Sequence, residues 1–527
     1  MPILSVQFLA FAIVVIALYF LLPIKFRWVS LLLGNIVFYL YSGAWSFLYI
    51  LTTSLITYII ALFIEKATQK GRKLLAEATS PAEKKAIKAN TLKGKKVLCT
   101  LAAVMTLGIW IVLKYGNFLI TNFNGILSVF NSDWRLDALD LLLPLGISYY
   151  TFHAVGYLVD VYRAKYSAER NFFRLFTFIS FFPHIIQGPF SRYEQLKTTL
   201  FAGTGFSYDR FCAGLCRILW GVFKKLVVAD KLGAVVLTVF SEYNNYSPLH
   251  IFLTIIIYSM QIYADFSGYM DIMCGFCKIF GISLAENFEQ PYFARSVDEF
   301  WRRWHITLGK WFKDYVFYPI SMSHPAQKLG KWARGKFSPK MGKLLPGYLA
   351  LVFVWSATGL WHGASWTYLI WGYLNLIIIM ASMQLEDFYT KIKTKFHISS
   401  QSRWWNVFSI IRTFVIISLL RLFSYGGSFS TVVSIIKHVF TTDNSIASIG
   451  FTLYFSNLSV KNVLVALFGY AIIFIVDLLK ETNRWESAKR NCPTLLKMLI
   501  YAAMIFSIIL FAGGDNDLIG GFLYANF

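Results

Sequence analysis

The chain has 527 residues, of which 57% are hydrophobic and only 15% are charged. Soluble domains average about 45–50% apolar and about 25% charged residues, so this composition excludes a soluble protein built from several domains with charged surfaces. The apolar residues also form long runs, and a run of about 20 such residues crosses a bilayer as a helix. The composition therefore predicts an all-α, polytopic membrane protein.

The formal net charge is +23, from 50 Lys and Arg against 27 Asp and Glu. Two stretches, 65–96 and 300–345, together supply +16 of that charge. Basic residues concentrated between apolar segments mark the cytoplasmic side of a membrane protein. We therefore predict that both stretches are cytoplasmic loops and that they face anionic lipid or an acidic cytosolic ligand rather than nucleic acid.

The predicted elements are apolar segments, separated by the two basic stretches. In chain order they are 5–22, 28–41 and 46–64; then 97–115, 117–130, 141–161, 172–190, 208–229, 250–265 and 267–282; then 347–361, 365–383, 406–424, 461–478 and 496–513. Seven segments lie between the two basic stretches. Two loops on the same side of a membrane must be separated by an even number of crossings, so at least one of the seven segments is re-entrant or interfacial. We predict one membrane domain over 1–527 with roughly 11 spans, and a cytoplasmic helical hairpin or a basic amphipathic helix over 66–96.

Segment 300–315 combines aromatic and basic residues at helical spacing. The period predicts one amphipathic helix whose aromatic face includes His305. The basic residues project elsewhere; they are Arg302, Arg303, Lys310 and Lys313. From the residues alone, two interpretations stay open: an interfacial anchor with a packed histidine, or a helix that carries chemistry.

His362 lies between two apolar segments, within 355–366. An ionisable residue at membrane depth is costly and indicates function. Gly359 and Gly363 form a small-xxx-small pair that allows another helix or a ligand to approach closely. A histidine can take a proton from a hydroxyl near neutral pH. The alternative is a helix-packing motif whose histidine is merely hydrogen-bonded.

The acidic residues and cysteines inside the apolar segments are weaker candidates for a functional site than the two histidines. Asp265 and Asp271 flank Ser267 and Gly268, where we predict a helix break, and we interpret both carboxylates as structural. Cys274 and Cys277 have the spacing of a metal or redox pair but lack a second pair, so we predict no metal site. The chain also lacks a phosphate-binding glycine loop, a nucleophile elbow and a paired-histidine zinc motif.

Segment 300–315, followed by Gly-Leu-Trp-His-Gly-Ala at 359–364, resembles the signature of the membrane-bound O-acyltransferase family. Within that family the chain is most similar to the bacterial branch typified by alginate O-acetyltransferase. The resemblance extends over about residues 140–385 and includes these further motifs: 144–152, 156–163, 181–192, 261–271, 286–288 and 291–296.

The resemblance implies a transmembrane helical bundle around a central tunnel. It assigns His362 as the catalytic histidine and His305 as the second histidine of the site. Further motif residues are expected to line the tunnel or bind substrate: Trp301, Trp304, Trp311, Asp314, Tyr315, Trp361 and Asn287. The basic residues Arg302, Arg303, Lys310 and Lys313 are expected to attract the donor.

By the same resemblance, the chain is expected to move acetyl groups from a cytoplasmic thioester, acetyl-CoA, towards hydroxyls of an extracytoplasmic polysaccharide. Acetyl-CoA is then a co-substrate, and no cofactor is bound. The expected location is the bacterial cytoplasmic membrane, with an extracytoplasmic SGNH-type acetylase or a polymer-export protein as partner. Two alternatives remain: D-alanyl transfer to teichoic acid from a carrier protein, and a transporter or flippase.

Overall fold

The computed structural model describes residues 1–131, 133–399, 402–425, 428–442 and 460–511. These residues are almost entirely helical, as the composition predicts. The α-helices are α1 Val6–Leu21, α2 Arg27–Tyr41, α3 Ala44–Glu77, α4 Pro81–Val129, α5 Ile147–Tyr162, α6 Phe172–Ile179, α7 Phe182–Ile185, α8 Tyr193–Leu200, α9 Tyr208–Val222, α10 Asp230–Ser241, α11 Pro248–Ile279, α12 Val297–Arg303, α13 Ile306–Phe312, α14 Tyr318–Ser321, α15 His324–Lys336, α16 Pro339–His362, α17 Trp366–Gln384, α18 Glu386–Lys395, α19 Arg403–Arg421, α20 Phe429–Thr441, α21 Val460–Glu481, α22 Trp485–Asn491 and α23 Thr494–Phe511.

Two π-helical turns and four 3₁₀ turns complete the described elements. The π turns are Phe223–Ala229 and Lys313–Phe317, and the 3₁₀ turns are Ile24–Phe26, Tyr243–Asn245, Pro291–Phe293 and Leu422–Ser424. Packing divides the chain into a first unit, Met1–Gly214 with Phe276–Ala285, and a second unit, Leu215–Gly275 with Glu286–Phe527.

Nine helices in the described part of the chain are long and apolar enough to cross a membrane. The chain is a multi-pass membrane protein, as the long apolar runs predict. Shorter apolar helices such as α1 and α20 accompany these nine. The last two residues of the predicted span 496–513 lie outside the described residues.

The first unit contains the predicted basic hairpin. Its long arms are α3 and α4, of 34 and 49 residues, and they pack against each other. The Ser80 side chain accepts a hydrogen bond from the Glu83 amide, and the Glu83 carboxylate accepts one from the Thr79 amide, so both side chains cap the start of α4. Segments 97–115 and 117–130, predicted as separate pieces, belong to the single helix α4. At about 73 Å this helix is longer than a bilayer is thick, so its basic end extends beyond the hydrocarbon.

Segment 172–190, one of the predicted apolar segments, is broken into two short helices. Helix α6 ends at Ile179, and α7 begins at Phe182. The fully buried Asn35 bridges the break, because its amide donates to the Thr177 carbonyl and its side-chain oxygen accepts from the Phe182 amide, each at 3.1 Å. A polar side chain from α2 thus satisfies backbone groups that the helix has released.

In the second unit, the predicted break at Ser267–Gly268 is wrong, because α11 continues from Pro248 to Ile279. Gly268 serves packing instead. A Cβ atom added to Gly221 would lie 2.5 Å from the Gly268 carbonyl oxygen, so the two helices meet where neither has a side chain. The glycines therefore permit close approach of the helices, and no turn is needed.

Buried ion pairs join the π turn Phe223–Ala229 to α11. Lys225 contacts Asp265 and Asp230, each at 2.7 Å, and Lys224 contacts Asp271 at 2.9 Å. The Lys225 and Asp265 side chains are 3% and 2% exposed. An isolated charge at this depth is very costly, so the pairs hold the two helices in one register. Asp265 and Asp271 thus have the structural contacts that the sequence suggested.

Replacing Asp265 by Asn should lower the free energy of unfolding by about 3–5 kcal/mol, because Lys225 then loses one of its two buried counter-charges. Asp298→Asn is the matched control, since Asp298 and its partner Arg302 are largely exposed, and we expect little change there. Denaturant titration of both variants in the same detergent measures the difference. Equal stability of the two variants would contradict a stabilising role for the buried pair.

Candidate active site

His362 lines a narrow cavity that lies wholly within the second unit. The empty space is about 400 Å³ when the open solvent at its mouth is included. Five helices, α11, α12, α16, α17 and α19, and the turn after α19 supply its walls, which are mostly aromatic and aliphatic. The lining residues are Tyr258, Ile262, Trp301, Trp304, His362, Trp371, Asn375, Ile417, Leu420, Arg421 and Ser424.

Close packing of α16 against α17 positions His362. A Cβ atom on Gly359 would lie 2.7 Å from the Tyr368 carbonyl oxygen, and one on Gly363 would lie 2.4 Å from the Tyr368 ring. The prediction that the glycine pair allows close approach is therefore confirmed. The His362 side chain, 5% exposed at the end of α16, lies edge-on to the Trp371 ring at 4.8 Å between centroids.

The predicted single helix over 300–315 is wrong. Helix α12 ends at Arg303, Trp304 is extended, and His305 adopts the left-handed conformation with φ of 47° before α13 begins. The aromatic period continues across this break, which is why the pattern predicts an unbroken helix. The break matters because it turns the Trp304 and His305 side chains away from the positions that a regular helix would give them.

Hydrogen bonds from Asn287 explain the break. The Asn287 carbonyl accepts from the Ile306 amide at 3.1 Å, and its side-chain oxygen accepts from the Thr307 amide at 3.1 Å and hydroxyl at 2.6 Å. Phe288 and Trp304 form an antiparallel bridge beside it. These bonds supply the partners that the interrupted helix loses.

The two predicted histidines both contact one tryptophan, Trp361. The His362 ring is 5.0 Å from the Trp361 centroid, and the His305 ring is 5.8 Å from the same centroid. Phe266 lies edge-on to His305 at 4.9 Å. Burial among these rings lowers the pKa of His305 to about 3, because the charged imidazolium loses its hydration. His305 is therefore neutral at physiological pH.

The structure places the predicted tunnel residues in three positions. Trp301 and Trp304 line the cavity, and the Trp301 indole donates to the Asn375 side chain at 3.1 Å. Trp361 contacts both histidines, and Asn287 holds the break at His305. Trp311, Asp314 and Tyr315 lie beyond the break, on α13 and the π turn that follows it, outside the set of residues that line the described cavity.

The predicted donor-attracting residues differ in how far they are already paired. Arg303 contacts both Glu299 and Glu481 at 2.7 Å and is only 20% exposed, so its charge is largely compensated. Arg302 forms an exposed pair with Asp298 at 3.0 Å. Lys310 is exposed, and the exposed Lys313 lies over the Tyr318 ring. Attraction of a donor by these residues stays a prediction.

Eight of the eleven lining residues were missed by the sequence analysis, among them Tyr258, Trp371, Asn375 and Arg421. Two of them carried a usable signal. Asn375 lies inside the apolar segment 365–383 and Arg421 inside 406–424, and polar or charged residues within membrane segments indicate function by default. Tyr258 and Trp371 gave no signal, because aromatic residues in apolar helices are ordinary packing residues.

The chain is similar to known proteins over the residues that form the cavity. A sequence model of the membrane-bound O-acyltransferase family matches residues 167–333 and 337–426, which include both histidines and the whole cavity lining. A probable alginate O-acetylase of Azotobacter vinelandii is 34% identical over 273 residues, covering 52% of this chain and 51% of that protein.

Two other relatives have names that refer to other polymers. A peptidoglycan O-acetyltransferase of Helicobacter pylori is 29% identical, covering 65% of this chain and 63% of its own length. A teichoic acid D-alanyltransferase of Bacillus subtilis is 29% identical, and the match covers 52% of this chain and 67% of that protein. The chain spans about half the length of the alginate O-acetylases it matches. The chain thus belongs to the membrane-bound O-acyltransferase family and is similar to its alginate O-acetylases.

Proposed function

We propose that the chain is a membrane-embedded O-acyltransferase that moves acetyl groups from cytoplasmic acetyl-CoA towards hydroxyls of an extracytoplasmic polysaccharide. The observation that carries the proposal is His362 in a narrow, aromatic cavity, with His305 close by. The names of the alginate and peptidoglycan relatives support an acetyl group and a polysaccharide acceptor. The proposed location is the bacterial cytoplasmic membrane.

His362 acts as general base in this proposal. It takes the proton of the acceptor hydroxyl while the hydroxyl oxygen attacks the thioester carbonyl, and it returns the proton to the departing thiolate. The buried aromatic walls keep bulk water out, which limits hydrolysis of the thioester. His305, being neutral, carries one ring N–H that can polarise the thioester carbonyl; otherwise it shapes the wall behind Trp361.

An extracytoplasmic partner completes the proposed pathway. The acyl group passes to the far side of the membrane, where an SGNH-type acetylase or a polymer-export protein delivers it to the polymer. A second candidate function is D-alanyl transfer to teichoic acid from a carrier protein. The similarity to the Bacillus subtilis teichoic acid D-alanyltransferase favours this candidate, which uses the same two histidines on another thioester.

His362→Ala should lower acyl transfer by about 10²–10⁴-fold, because the acceptor hydroxyl loses its general base. The measurement uses inverted membrane vesicles with radiolabelled acetyl-CoA outside and with alginate, peptidoglycan or teichoic acid, together with the extracytoplasmic partner, enclosed inside. The exposed His397 provides a matched control, and His397→Ala should keep wild-type activity. Full activity of His362→Ala would refute its role. Turnover with D-alanyl carrier protein but not with acetyl-CoA would select the second candidate.

His305→Asn should lower the rate but leave the acidic limb of the pH–activity profile at the same pH as in the wild type. The reason is that His305 binds a proton only near pH 3, so it stays neutral throughout the range in which activity is lost on acidification. Asparagine is chosen because it tolerates the left-handed conformation at position 305. An acidic limb that moves or disappears in the variant would mean that His305 titrates during turnover.

Neutralising the four basic residues of α15, Lys328, Lys331, Arg334 and Lys336, should raise the KM for acetyl-CoA about tenfold at low salt, because a polyanionic donor is steered less strongly. The effect should fade at high ionic strength. A variant with four lysines of the basic hairpin neutralised, Lys66, Lys70, Lys84 and Lys88, serves as the control. An unchanged KM in the α15 variant would mean that this basic helix does not contribute to donor binding.

A further inference from the structure

Arg421 places a buried positive charge in the same cavity as His362. The residue is 5% exposed and lies at the end of α19, and both residues line the cavity walls. Among the cavity-lining residues of the described chain, Arg421 is the one lysine, arginine, aspartate or glutamate. Its charge therefore dominates the electrostatic field in this small apolar space.

The setting of Arg421 differs from that of the other buried cations of the second unit. Lys224 and Lys225 each contact a carboxylate at 2.9 Å or less. No described carboxylate lies within ion-pair distance of the Arg421 guanidinium, whose central carbon lies 4.2 Å from the Trp304 ring centroid. The Tyr292 and Phe300 rings lie farther away, at 5.7 and 5.8 Å.

Aromatic faces stabilise a guanidinium only in part. A cation over a ring is attracted by the ring quadrupole, but its N–H groups radiate in the guanidinium plane and remain able to donate to an acceptor. Burying a cation without a counter-charge costs more than such a contact returns. The arrangement is therefore that of a cation kept ready for a transient negative charge.

We propose that Arg421 binds the oxyanion that forms on the acyl carbonyl during transfer. The inference rests on the proposed acyltransferase function and identifies a further catalytic residue for it. As the acceptor oxygen bonds to the carbonyl carbon, its proton passes to His362 and the carbonyl π electrons move onto the oxygen, where Arg421 donates hydrogen bonds. The carbonyl then re-forms, the carbon–sulfur bond breaks, and the thiolate takes the proton from His362.

A single developing charge suits this site better than the phosphates of the donor. Acetyl-CoA carries several phosphate charges, and binding them takes several cations together. The cavity offers one arginine among aromatic walls, whereas clustered basic residues occur on α15. Hydrogen-bond donors aimed at a developing oxyanion in a water-poor site typically raise the rate by about 10²–10³-fold.

Arg421→Gln should therefore lower kcat for acetyl transfer by about 10²–10³-fold and leave the KM for acetyl-CoA within about twofold. Arg412→Gln, on the same helix, is the control and should keep wild-type kcat, since Arg412 donates to the Arg295 carbonyl instead. Arg421→Lys keeps the charge and should retain more activity. Guanidinium chloride, but not urea, should partly restore Arg421→Ala at concentrations that leave its unfolding temperature unchanged.

A binding measurement separates this inference from the proposed function. Methylphosphonate, a tetrahedral anion of acyl size, should bind the wild-type protein in nanodiscs and bind Arg421→Gln at least tenfold more weakly. Binding that is absent in the wild type, or equal in the two proteins, would overturn the inference, as would unchanged kcat in Arg421→Gln. Arg421-dependent binding without turnover of any acyl thioester would leave the anion site standing and refute the acyltransferase.

Discussion

The hydrogen bonds of Asn287 determine the geometry around His305. Inside a membrane protein, backbone that leaves the helix must find partners within the protein, because lipid offers none. Asn287 provides them with its carbonyl and its side-chain oxygen, both directed at Ile306 and Thr307. Without these bonds the aromatic segment would regain its helical bonds, and Trp304 and His305 would face other directions.

Electrostatics in the second unit follows one rule, which is that a buried charge needs compensation. Lys224 and Lys225 obtain it from carboxylates on α10 and α11, and those pairs hold helices together. His305 avoids the cost by staying neutral. Arg421 has aromatic faces in place of a carboxylate, a setting suited to chemistry in which a negative charge appears briefly.

Sequence reasoning succeeded where the physical signal was local. Long apolar runs predict the membrane helices, and the basic stretch after segment 46–64 predicts the hairpin of α3 and α4. It failed at Gly268 and at His305 for opposite reasons. Gly268 suggested a turn but serves helix packing. The periodic aromatic residues around His305 suggested a helix, although Asn287, 18 residues earlier, interrupts it.

In the candidate site, too, some residues could be predicted from the sequence and others only from the packing of the helices. Composition and charge were sufficient to identify an all-α membrane protein, and the resemblance to a family signature selected His362, His305, Trp301 and Trp304 as candidates. Packing alone decided that Trp371, Asn375 and Arg421 share their cavity. Helices far apart in sequence form those walls, and a contact such as that of Arg421 with Trp304 exists only after they pack.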